Sequence, residues 1–273
     1  MKKNEVATVD KFMIATGREN MDAADLAEFD DEFGDLDDNT IPYKTIKMPG
    51  SGGRTFEIET EDPENPDTPK EFEGVLLFTH RINVRWQYSY ADAPDGNNVP
   101  ACSSFDGKEG VVRDTGEICS CDHCQYNEFA ADGSGKACDN KRRLYLLLSG
   151  QPDLYVLTIP PTSMRDFNMQ LKRIMGRSTP YSRLVLRFRL AKAKSRAGID
   201  YSKLQVERVG SLPPELYQVT KAMREEIKNG YTKIGVEEND VAAPTEADGF
   251  TSVPDANGFV NVPQGNDEEL PFA

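Results

Sequence analysis

Gly74-Val75-Leu76-Leu77-Phe78-Thr79, followed after His80 by Arg81-Ile82-Asn83-Val84-Arg85-Trp86-Gln87-Tyr88-Ser89-Tyr90, is the stretch on which the fold class turns. The first six residues are a short apolar run, which reads as a buried strand. From Arg81 to Tyr90 polar and apolar residues alternate, which reads as a half-buried strand with one polar face. Outward from there, residues 144–148 and 154–159 read as a strand pair around Ser149-Gly150-Gln151-Pro152-Asp153. Residues 184–190 read as another strand, with Arg187 and Arg189 on one face, and residues 204–209 as one more. Two helices punctuate this β pattern. Ser163 is placed to cap a helix over residues 164–175, with Asp166 completing a capping-box-like start and Phe167, Leu171 and Ile174 on one face. Pro213 and Pro214 open a second helix that runs through Ile227 and stops at Asn229-Gly230. The chain is therefore expected to be mainly β (α+β), a small barrel with helical insertions and no internal repeat.

Charge divides the chain into zones. The net charge over 273 residues is −14. The mean hydropathy of −0.59 is low for a chain folded throughout. Residues 1–40 form an acidic arm with Asp30, Asp31, Glu32, Asp35, Asp37 and Asp38 close together. Residues 236–273 contain no Lys or Arg, nine acids, and many Pro, Gly, Asn and Ala, the composition of a disordered tail. Between Lys141 and Lys233 the balance reverses, with about 19 basic against about 7 acidic residues. An acidic average thus conceals a basic core suited to phosphate. No run of about 18 apolar residues exists, so no membrane span is expected. The N-terminus leads into no apolar secretory region.

Four of the five cysteines lie within about 20 residues of one another, and with no secretory segment the pattern favours metal over disulfides. Cys121-Asp122-His123-Cys124 is a knuckle supplying two ligands from one turn. With Cys102 upstream and Cys138 downstream it would close a tetrahedral zinc site. The residues around them, among them Ser103, Asp106, Gly107, Gly110, Gly116 and 132–135, are loop formers that a metal would hold together. Cys119 and His123 stand as alternative ligands, and a group of reduced or redox-active thiols is the competing reading.

The chain ends Asp267-Glu268-Glu269-Leu270-Pro271-Phe272-Ala273, an acidic run closing on an apolar anchor. This tip resembles that of bacterial and phage single-stranded DNA-binding proteins. Pro100-Ala101-Cys102-Ser103-Ser104-Phe105-Asp106-Gly107, ahead of the Cys-x-x-Cys knuckle and a final Cys, is similar to a segment of phage members of that group. The resemblance implies an OB-fold over residues 41–235, with a zinc-binding insertion at about 100–140 and acidic termini on either side. It also implies coating of single-stranded DNA in phage replication, recombination and repair in the cytoplasm of the infected host. Asp267 to Phe272 would then recruit replication or recombination proteins.

Single-strand binding needs cations for the backbone and aromatic faces for the bases. Arg81, Arg85, Trp86 and Tyr88 offer both on one strand, although Ile82 and Val84 share the Trp86 face and suit it equally to packing. Tyr145 and Tyr155 are further platforms. Arg142, Arg143, Lys172, Arg173, Arg177, Arg183, Arg187, Arg189, Lys192, Lys194 and Arg196 are the phosphate candidates. His80 reads as structural and Phe188 as core. Self-association is compatible with such a coat. No P-loop, Gly-x-Ser-x-Gly or His-Glu-x-x-His motif occurs, and no carboxylate set stands outside the acidic arms, so no enzyme is expected. The alternatives are a zinc-ribbon factor for RNA or duplex DNA, and an acidic interaction module that mimics DNA.

Overall fold

The computed structural model describes residues 12–15, 21–35, 42–50, 52–62, 64–88, 99–129, 135–195, 198 and 200–231. The protein is mainly β. Its strands are β1 Lys44–Lys47, β2 Glu57–Ile58, β3 Glu71–Trp86, β4 Pro100–Ser104, β5 Glu109–Val112, β6 Ile118–Ser120, β7 Cys138–Leu148, β8 Leu154–Ile159, β9 Leu184–Lys194 and β10 Asp200–Ser211. Its helices are α1 Ala23–Asp35, α2 Pro161–Met175 and α3 Pro214–Gly230. The strands form one mixed sheet in the order β2-β1-β8-β7-β3-β4-β5-β6, and β9 joins β3 to β10. Only β1 and β8 are parallel among the described pairs.

β3 organises the sheet. The two strands expected around His80 are one 16-residue strand. β7 lies against it from Gly74↔Leu148 to Arg85↔Cys138. Its other edge is shared, with residues 71–75 against β9 and residues 83–86 against β4. A bulge between Leu76 and Phe78 carries the ladder through the change of partner. It also sends Leu77 and Phe78 to the same side, opposite Leu76. The strand stops at Trp86, short of the expected Tyr90. Gln87 and Tyr88 form a bend, and Ser89 and Tyr90 lie outside the described residues.

Each face of the sheet carries a core. Phe72, Leu76, Leu144, Leu146, Leu186 and Phe188 pack with Leu204 and with Phe167 and Leu171 of α2. Phe72 stacks on Phe188 at 5.0 Å and meets Phe56 edge-on at 4.9 Å. On the other face Val75, Leu77, Tyr145, Leu147 and Val185 pack with Ile227 of α3 and with Phe12. Phe12 belongs to the acidic arm by sequence, yet it is buried here. The following residue is tied to the β7–β8 turn through Met13 N–H to Ser149 Oγ and Gly150 N–H to Met13 O. In the same arm, residues 23–35 form α1.

β8 and β10 do not pair with each other. β1 runs along β8 instead, and the turn after it reaches β10. The outward N–H groups of β10 are satisfied in alternation: Ser202 donates to Gly50 O, Leu204 to Ser163 Oγ and Val206 to Gln170 Oε1. This corrects the expected cap. α2 begins at Pro161, with Pro160 in the cap position, so Ser163 lies inside the first turn and serves the edge of β10. Asp166 is drawn into an ion pair with Lys203 rather than a capping box.

Candidate metal centre and nucleic-acid interface

The segment expected to be loop continues the sheet as three short strands. Cys102 lies on β4, Cys119 on β6, Cys121 and Cys124 in the turn after β6, and Cys138 at the start of β7. The β4–β5 turn is built by the Ser104-Phe105-Asp106-Gly107 segment. One Asp106 carboxylate oxygen accepts the N–H of Lys108 at 2.7 Å and of Glu109 at 3.0 Å, and the Ser104 hydroxyl at 3.1 Å. Gly107 has φ +71°, and a Cβ there would come within 2.8 Å of Arg81 Cβ, so conformation and space both require glycine.

The sulfurs converge. Cys102 Sγ and Cys119 Sγ are 3.8 Å apart. A Cβ on Gly110 would meet Cys102 Sγ at 2.9 Å, Cys119 Sγ at 3.4 Å and Cys121 Sγ at 3.6 Å, so only glycine leaves room for them. All five thiols and His123 line one cavity of about 650 Å³, together with Arg85, Tyr126 and Asn127. All five cysteines are free thiols. Burial, reinforced by Cys119 and Cys121, pushes the Cys102 thiol up to about 11, with Arg85 opposing the shift. Burial, with Cys121 and Asp139 next, pushes Cys138 up to about 12. Among the described residues no three His, Cys, Asp or Glu side chains are set to hold a metal ion as they stand. The donor chemistry and the space kept by Gly110 nevertheless fit a soft, thiolate-binding cation, which would reverse the cost of ionising these groups.

Side-chain amides fasten this subdomain to the rest of the sheet. Asn127 Nδ2 donates to Cys121 O at 2.8 Å. Asn140 Nδ2 donates to Asn127 Oδ1 at 2.9 Å and to Asn83 Oδ1 at 2.8 Å, and Asn83 Nδ2 donates to Gly107 O at 3.3 Å. Lys136 Nζ donates to Asn127 and Asn140. Sequence reasoning found none of these, because an asparagine carries no spacing signal that foretells its partners.

Beside the subdomain, basic residues stand opposite one another across the ladder. Arg81 pairs with Arg142, and His80 with Arg143. Arg142 donates to Thr79 Oγ1 at 3.3 Å. Burial first, and Arg81 second, lower the Arg142 pKa below its usual value. Among the described residues no salt bridge involves Arg81, Arg85 or Arg142, and Nε of Arg85 and of Arg142 is buried without a hydrogen-bond partner. Trp86 is half-buried, its Nε1 donating to Asp139 Oδ2 at 3.0 Å, with Lys141 Nζ 5.8 Å from its ring. Tyr88 is exposed. Three sequence candidates turn inward. Arg143 and Tyr145 are buried, with Arg143 Nη1 near the Tyr145 hydroxyl at 3.4 Å, and Tyr155 lies in the core that packs against α2. As placed, neither tyrosine presents a face to a base.

The remaining candidates lie elsewhere. Arg187 donates to Glu73 at 2.7 Å and lies 3.7 Å from Glu71, Arg189 pairs with Glu207, and Lys192 with Asp200 at 2.6 Å. Lys172 and Arg173 are exposed on the last turn of α2, where cations suit the helix dipole, and Arg177 follows them. Arg183 lies over the Tyr217 ring. Lys194 is exposed at the end of β9. Arg196 and the tip Asp267 to Phe272 lie outside the described residues. No helix among the described residues is long and apolar enough to cross a membrane. Compared with family models, curated proteins and solved structures, the chain matches none.

Proposed function

We propose that the protein binds single-stranded DNA without sequence preference, along the half of β3 and β7 that adjoins the cysteine subdomain. The observation that carries this reading is the like-charge register of Arg81 against Arg142, with no carboxylate in ion-pair range of either among the described residues. Like charges directly opposite destabilise a sheet, and a polyanion lying along them removes that cost. Trp86 and exposed Tyr88 are the aromatic surfaces at the end of the same strand.

The strand pairing supports an OB-type barrel. An OB-fold pairs its first strand with the second and fourth and carries a helix between the third and fourth. β3, β7, β8, α2, β9 and β10 follow that order, with β1 on the β8 edge where the fifth strand would lie. The cysteine subdomain is then an insertion between the first two strands. Cys102, Cys121, Cys124 and Cys138 would hold a structural zinc there, with Cys119 beside Cys102 as a fifth sulfur. Bound zinc would contribute folding free energy to a segment with little core of its own. The acidic tail, ending in Asp267, Glu268, Glu269, Leu270, Pro271 and Phe272, would recruit replication or recombination proteins and compete with DNA for the basic surface, in keeping with a phage protein acting in its host's cytoplasm.

The test is fluorescence anisotropy of labelled oligo-dT and of duplex DNA of equal length, titrated across salt. Oligo-dT is expected to bind tightly and with steep salt dependence, and duplex much more weakly. The double variant Arg81→Glu, Arg142→Glu is expected to lose about a hundredfold in oligo-dT affinity at low salt. Absence of oligo-dT binding at low salt, even after removal of residues 236–273, would overturn the reading. A preference for duplex or for RNA would replace it with another nucleic-acid function.

A further inference from the structure

We infer that Arg85 is the counter-cation of the cysteine metal centre, a positioning residue that neutralises the thiolates, and not a contact to DNA phosphate. The inference rests on the zinc reading above. Arg85 lies between the two strands that bring in the outlying cysteines, directly opposite Cys102 on β4 and Cys138 on β7. In a sheet, directly opposed residues point to the same face, so the arginine and both thiols project together. Arg85 and all five cysteines line the same cavity.

The guanidinium is held in place from the far side. Its central carbon lies 4.1 Å from the centroid of the Tyr126 ring, in the 3-10 turn that follows Cys124. Its Nε is buried without a hydrogen-bond partner, a donor the polypeptide leaves unused. A divalent cation held by four thiolates carries a formal net charge of roughly −2, and a buried net charge needs compensation close by. Among the described residues lining the cavity, Arg85 is the one fixed cation. Arg81 differs. It lies four residues earlier on the same face of β3 and is exposed, opposite Arg142 rather than a cysteine.

The experiment separates metal from phosphate. Zinc affinity of the full chain is measured by competition with a chromophoric chelator, and cobalt substitution reports thiolate ligation by its absorption bands. In parallel, the salt slope of oligo-dT binding is measured on zinc-loaded protein. Arg85→Gln is expected to weaken zinc 10- to 100-fold, as loss of an outer-shell partner does. Arg85→Lys, which keeps the charge, is expected to restore zinc affinity to within about threefold, with cobalt bands like those of the wild type. Both variants, once loaded, should keep the wild-type salt slope, whereas Arg81→Gln should lower the slope by about 0.7 and leave zinc unchanged. Wild-type zinc affinity in Arg85→Gln, failure of Arg85→Lys to restore it, or a slope reduced as in Arg81→Gln would each overturn the inference. Wild-type protein that takes up neither zinc nor cobalt would instead show that the metal reading itself fails.

Discussion

The two halves of β3 share one backbone ladder with β7 and follow opposite electrostatic rules. In residues 71–77 acids face bases across the sheet, Glu71 against Arg189 and Glu73 against Arg187. The remaining side chains there feed two cores, with Phe72, Val75, Leu76 and Leu77 buried. In residues 78–86 Arg81 faces Arg142, the uncharged ring of His80 lies opposite Arg143, and the neighbouring strand carries cysteines. The first half can stand on its own contacts. The second combines like charges and free thiols, and a sheet holds such groups only when the rest of the fold supplies the stability or a ligand supplies the missing charge. On the proposed reading stability and binding are separated along one strand, with the bulge at Leu76/Phe78 near the boundary.

The largest expected effect tests that separation directly. Phe188 is fully buried and stacks on Phe72 in the core that packs against α2. Phe188→Ala should cost about 3–5 kcal/mol and lower the urea midpoint of the whole molecule. Chelation of metal from a zinc-loaded protein should act differently. Amide hydrogen exchange should rise in residues 99–129 and 135–138 while residues 144–147 stay protected. Loss of protection throughout the sheet on chelation would erase the distinction between the halves.

A smaller effect is expected at the boundary, from His80. Burial holds its pKa down to about 4 from 6.5, Arg143 and Arg142 adding to the shift and the Arg81 carbonyl opposing it. Nδ1 lies 3.0 Å from that carbonyl, so Nδ1 carries the proton and Nε2 accepts from the Tyr145 hydroxyl at 2.9 Å. The folded state thus favours the neutral ring. Between pH 6.5 and 4 the unfolded chain binds the extra proton, so the stability associated with neutral His80 is complete above pH 6.5 and is lost as pH falls through that window. The loss is on the order of 3 kcal/mol by pH 4. Urea unfolding of wild type and His80→Gln at pH 7, 6, 5 and 4 should show the difference between them shrinking with acid. A constant difference would mean that neither burial nor the neighbouring arginines depress the His80 pKa in the folded state.

The central strands were legible because they repeat a simple signal. The apolar runs at 74–79, 144–148, 154–159 and 184–190 and the faces of α2 and α3 all lie where periodicity places them. Their continuity was not. His80 interrupts the pattern, yet β7 pairs straight through it, because tertiary pairing overrides a one-residue lapse in local signal. The strands β1, β2, β4, β5 and β6 have two to five residues each, too few for an alternation to register. Ser163 looked like a cap because its spacing to Asp166 is right, but two prolines start the helix earlier. At the candidate site the Cys-x-x-Cys knuckle and the basic surplus could be read directly. Which arginines keep an available charge could not, since that depends on register: Arg187 and Arg189 meet glutamates, and Arg81 and Arg142 meet each other.

The smallest expected effect therefore belongs to the arginines of the first half. Arg187 and Arg189 weigh as much as Arg81 and Arg142 in any count of basic residues, so composition alone assigns all four to DNA. Register separates them. Each guanidinium in the first half already sits against a carboxylate, and to reach phosphate it would have to leave that partner or bring the carboxylate's repulsion along. Such exposed pairs also contribute little to stability. The double variant Arg187→Gln, Arg189→Gln should change oligo-dT affinity less than twofold, leave the salt slope unaltered and barely move the urea midpoint. A drop in slope comparable to that of the Arg81 and Arg142 variant would place DNA across both halves of β3. The ion pairs with Glu71, Glu73 and Glu207 would then be the resting contacts of a longer groove, exchanged for phosphate when the strand arrives.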